Sequence, residues 1–103
     1  MERYTPSRME WLLLWATVFG TPERLFADRM QQVDGCKLHY DEGETPDTIV
    51  VGIVRRKTSV AGDSEHAKVQ LAIIEDRVQT FLLEKAVIVG LLDLQVRFRV
   101  SEN

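Results

Sequence analysis

The chain has one cysteine, Cys36, and two histidines, His39 and His66, in 103 residues. A lone cysteine cannot close an internal disulfide, so nothing points to an oxidising compartment. Cys36 and His39 stand three apart in a segment that reads as a strand, which sends their side chains to opposite faces. They cannot work as nucleophile and base or as ligands of one metal. Cys36 is expected in the core and His66 in a solvated or capping position. Phosphate-loop glycines are missing too. Arg55–Ser59 leads to a helix start, but Asp63 and Glu65 would repel an anion there. The acidic turn Asp41–Asp47 lacks the alternating acids and closing glutamate of a calcium loop.

Long apolar runs are absent as well. Trp11–Phe19 is too short to span a bilayer, and Glu2 and Glu10 do not suit a signal peptide. No repeat, low-complexity stretch or linker divides the chain, so a single domain over 1–103 is expected. The expected protein is cytoplasmic, without cofactor, metal or membrane. Its composition, 45% apolar and 28% charged, suits an ordinary globular core. A net charge of −3 disfavours bulk attraction to nucleic acid, though not a local basic patch.

What is present organises around Asp63–Val89, where apolar residues at Ala67, Leu71, Ile74, Val78, Phe81 and Ile88 form one helical face. Leu82 and Val89 widen it, Lys85 is its only charge, and Val69, Ala72, Leu83 and Val87 form a second patch. Upstream, Ser7 and Glu10 make a capping box for a helix to Phe19, with Gly20 as its stop. Thr21-Pro22-Glu23 starts another helix toward Gly35, with a hairpin of 29–33 on 36–40 across Asp34-Gly35 as the competing reading. Cys36–Tyr40 and Thr48–Lys57 read as strands, the second apolar on both faces and therefore central. Leu92–Val100 alternates as a third strand, with Leu94, Val96, Phe98 and Val100 expected inward. The fold class expected is α/β of the two-layer α+β kind, order ααββαβ: a three-stranded sheet packed on one long helix. The first two strands should pair antiparallel and the third return parallel to the second.

Two surfaces stand out. The sheet face away from the long helix should carry Lys37, His39, Arg56, Gln95, Arg97 and Arg99, a basic face for a protein partner or, alternatively, nucleic acid. It lacks aromatics on which single strands would stack. The first helix is apolar nearly all round: Trp11, Leu14, Trp15 and Val18 share one side, Leu12, Ala16 and Phe19 another. One side should face the core. The other, with Leu83 and Val87, is expected to form a homodimer interface. The function expected is a small non-enzymatic regulator, adaptor or inhibitor, a size and charge that also suit a protein encoded by a mobile element. A small enzyme whose acids and His66 line a dimer cleft is the weaker alternative.

Overall fold

The structure, a computed structural model, describes residues 5–21, 37–55 and 65–102. Its elements are α1 (Arg8–Phe19), β1 (Lys37–Glu42), β2 (Thr48–Arg55), α2 (Glu65–Val89) and β3 (Gln95–Glu102). The helix or hairpin expected over 22–35, Cys36, Arg56 and Lys57, and the Asp63 or Ser64 cap lie outside the described residues. The sheet has the order β1-β2-β3, with β1 antiparallel and β3 parallel to β2. Both helices pack on one face of it, α1 over β1 and α2 over β3. This is the α+β architecture expected, with the strand directions expected.

Alternation decides which residues enter the core. Ile49, Val51 and Ile53 of the central strand are fully buried on the helix side. Their lateral neighbours on that side are Tyr40 and Leu38 of β1 and Val96 and Phe98 of β3. The helices answer with Leu12 and Ala16 from α1 and Ile74, Val78, Leu82 and Ala86 from α2.

The buried row of α2 differs from the stripe expected. It advances by fours from Ile74 through Val78 and Leu82 to Ala86, whereas Phe81 is half-buried and Ile88 is 65% exposed. The reason is α1, which takes up the Phe81 side of the helix. Phe81 meets Phe19 at 6.5 Å between ring centroids, and Lys85 Nζ lies 4.8 Å from the Trp15 ring and 5.7 Å from that of Phe81. The lysine in an apolar stripe is thus a cation held over two aromatic faces. With two neighbours to satisfy, the helix turns the bisector of its apolar arc toward the sheet.

Local signals at the helix ends work largely as expected. Ser7 Oγ accepts from the Glu10 N–H at 3.1 Å, the first half of the capping box. At the other end of the fold, Gly90 takes φ +80°, Leu91 N–H donates to Ala86 O at 2.8 Å, and Gly90 N–H donates to Val87 O at 3.2 Å. That pair of bonds is a Schellman motif, and it brings Leu91 against Ala86, both buried. The motif also corrects the third strand. It was expected from Leu92, but Leu92 is 77% exposed, Leu94 is buried in the turn rather than in the strand, and pairing begins only at Gln95. There the Gln95 N–H donates to Asp47 O at 2.8 Å. Asp47 presents that carbonyl from a left-handed conformation, φ 66°, which aspartate tolerates better than most residues. The first strand, in turn, runs past Tyr40 to Glu42, because the hairpin closes only at Gly43 and Thr48.

Gly20 ends α1 for a reason other than backbone freedom. Its φ is −93°, open to any residue, but a side chain there would overlap the Tyr40 hydroxyl and Ala16 O. Tyr40 reaches across from β1 to donate its hydroxyl proton to Gly20 O at 2.9 Å, tying the helix end to the sheet. Burial raises the Tyr40 pKa well above the ordinary phenol value. The folded chain therefore keeps a proton that the unfolded chain releases near pH 10, so the stabilisation is complete below that pH and is lost as pH rises above it. The unfolding free energy from denaturant titrations should fall from about pH 10 upward with a slope of at most about 1.4 kcal/mol per pH unit, less where water still reaches the ring. Tyr40→Phe should remove that slope while leaving the neutral-pH fold in place.

Candidate interaction surfaces

The sheet face opposite the helices is built by the residues that alternate away from the core. Pairing sets them in three rows: Asp41, Val50 and Arg97; His39, Gly52 and Arg99; Lys37, Val54 and Ser101. Gln95 stands beside Thr48, one row beyond Asp41, Val50 and Arg97. Lys37, His39, Gln95, Arg97 and Arg99 are therefore on one face, as expected from their parity, and all five are exposed. Arg56 lies outside the described residues.

The structure adds two features that the expected strands do not show. First, the central strand contributes a low floor, half-buried Val50, Gly52 and Val54, between the longer side chains of β1 and β3. At Gly52 an added Cβ would sit 3.6 Å from His39 Cβ and 3.7 Å from His39 Cδ2, ordinary contact distances. The histidine thus stands at the rim of a shallow trough. Second, Asp41 belongs to the rim, so the face is cationic without being uniformly so. Among the described residues, the side chains of Lys37, His39, Arg97 and Arg99 enter no ion pair or hydrogen bond; the ion pair that does form, Arg55 to Glu102 at 3.0 Å, joins residues of the opposite parity.

The apolar surface expected to pair two copies is divided by the structure. Trp11, Leu14 and Val18 are 43%, 51% and 45% exposed on the outside of α1. Trp15 is half-buried instead, stacked on Phe19 at 5.3 Å between centroids and covered by Lys85. Leu83 and Val87 are exposed, but helical phase puts them on the flank of α2 away from Phe81 and Lys85, the residues that face α1. They form a separate patch and do not continue the α1 stripe.

Among the described residues no three His, Cys, Asp or Glu side chains are grouped to hold a metal ion, and no helix is long and apolar enough to cross a membrane. No family model, curated protein or solved structure matches this chain. Its surfaces carry the functional argument.

Proposed function

We propose that the chain is a non-enzymatic, homodimeric protein-binding module, a regulator, adaptor or inhibitor that grips an acidic surface of its partner with the open sheet face. The observation that carries this reading is the set of unpaired cations, Lys37, Arg97 and Arg99 with His39, around the Val50–Gly52–Val54 floor of a chain whose net charge is −3. Cations without counter-charges among the described residues are available to carboxylates from outside. The floor suits an apolar residue set between those carboxylates. A protein fits better than nucleic acid for two reasons: Asp41 interrupts the rim, and the rows contain no aromatic on which a base could stack. Self-association is supported by the exposed Trp11, Leu14 and Val18, which set an apolar stripe along the outside of one helix.

Fluorescence anisotropy at low salt tests the partner class. Labelled glutamate-rich peptides carrying a central leucine are expected to bind, with affinity lost on the double reversal Arg97→Glu, Arg99→Glu. Gly52→Val should weaken binding by raising the floor, since the fold has ordinary clearance at that position. Single- or double-stranded DNA or RNA binding more tightly than these peptides, with a steep salt dependence, would replace this reading by the nucleic-acid one. Light scattering tests the dimer, whose mass should fall to that of a monomer only on dilution.

A further inference from the structure

We propose that β1 is a self-pairing edge: the Lys37–Glu42 strands of two copies join antiparallel about a two-fold axis at His39 and fuse the two sheets into one of six strands. The inference rests on the homodimer reading above, and it places the interface on β1 rather than on the outside of α1.

The order β1-β2-β3 leaves the outer side of β1 without a strand among the described residues. Which backbone groups that side presents follows from the hairpin. Gly43 N–H donates to Thr48 O at 2.7 Å, and the antiparallel ladder alternates from there. Asp41, His39 and Lys37 therefore direct their amides and carbonyls to β2, while Leu38 and Tyr40 direct theirs outward. A cleft of about 320 Å³ lies at this edge, lined by Leu38 to Asp41, by Thr17 in the last turn of α1 and by Gly20 and Thr21 beyond it. Among the described residues the edge is open, and its polar groups point into the opening. Such an edge is a template for another strand.

The side chains identify the strand that fits. With His39 opposite its own copy, Lys37 falls opposite the second copy's Asp41 and Leu38 opposite its Tyr40, and each pair occurs twice. Directly opposed residues of an antiparallel pair share a face, so both ion pairs form on the open face and both apolar pairs on the helix side. The Leu38 and Tyr40 pairs are also the hydrogen-bonded ones, which closes four backbone bonds across the axis. The other edge behaves differently. Pairing β3 with itself in the two fullest registers that keep the helices of both copies on one face sets Arg97 against Arg99 or Arg99 against itself, an arrangement that repels a second copy. Self-complementarity is a property of β1. The same axis places the two open faces side by side, giving one continuous surface with a pair of His39 residues at its centre. Lys37 and Asp41 neutralise each other across the axis, and Arg97 and Arg99 of each copy remain for an acidic partner.

Sedimentation equilibrium reads the outcome. Lys37→Asp and Asp41→Lys each oppose like charges at two places and should weaken dimerisation by about tenfold or more, and the double swap should restore it. In the wild type, hydrogen exchange at the Leu38 and Tyr40 amides should be slow in the dimer and fast on dilution. A double swap as weak as the single reversals would overturn this register. A dimer indifferent to both reversals but dissociated by Leu14→Glu would move the interface to the outside of α1 and overturn the strand inference, leaving the dimer reading intact. A monomer at every concentration would remove both.

Discussion

Leu82→Ala is expected to lower the unfolding free energy by about 2–5 kcal/mol. Leu82 is fully buried, on the row of α2 that faces the sheet, so truncation loses its transfer free energy and leaves a cavity between two rigid layers. Neither side can close the gap easily. The sheet is pinned by two sets of strand pairs, and α2 is held at its C-terminal end by the Schellman turn and along its flank by the ring contacts with α1. The row predicts a ranking as well as a size. Ile74→Ala should cost as much as Leu82→Ala, Phe81→Ala less because that ring is partly in water, and Ile88→Ala within about 0.5 kcal/mol of nothing. Urea unfolding of the four variants checks it. A cost at Ile88 equal to that at Leu82 would mean that the helix is rotated about its axis relative to the arrangement described.

The second large effect is expected at Gly20, where alanine should destabilise by about 1–3 kcal/mol or more. A Cβ at this position meets Ala16 O, which is backbone, and the Tyr40 hydroxyl, which is held by its own hydrogen bond to Gly20 O. Relief requires α1 to lift from β1 or Tyr40 to leave its site. Either movement breaks the tie between the end of the helix and the sheet. The effect should be coupled to Tyr40: in a Tyr40→Leu background the Gly20→Ala change should cost less, and a double-mutant cycle should report the difference. Independent, additive costs would show that Gly20 serves only to end the helix.

The contrast between these two positions shows how far the sequence could be read. Helical spacing in 63–89 was enough to find α2, because a three-and-four repeat over many turns has no other simple explanation. It was not enough to aim the helix. An arc that includes Ile74, Phe81, Leu82 and Ile88 can be centred on several lines, and the choice depended on α1 occupying the Phe81 side through Trp15 and Phe19. Gly20 was legible as a stop, yet its cause, the approach of Tyr40 from a strand twenty residues later, is a contact of long range. The third strand was misread at its start for a related reason. Leu92 and Leu94 alternate as a strand should, but a capping turn has first claim on the residues that follow Gly90.

The candidate surfaces divide in the same way. Period-two alternation determined by itself that Lys37, His39, Gln95, Arg97 and Arg99 would share a face, because a strand can send a side chain to only one of two sides once its buried residues are known. Pairing register is not written in any single strand. It was the tertiary structure that set His39 and Arg99 on either side of Gly52, brought Asp41 into the rim and made a trough of the face. The apolar excess of the first helix was likewise plain in its composition, since a helix with Trp11, Leu14 and Val18 on one side and Leu12 and Ala16 on the other cannot bury both against a single sheet. That Leu83 and Val87 lie apart from it was decided by the packing of α1 on the other flank of α2. Local periodicity assigns faces to residues; only the packing of one element on another assigns neighbours to faces.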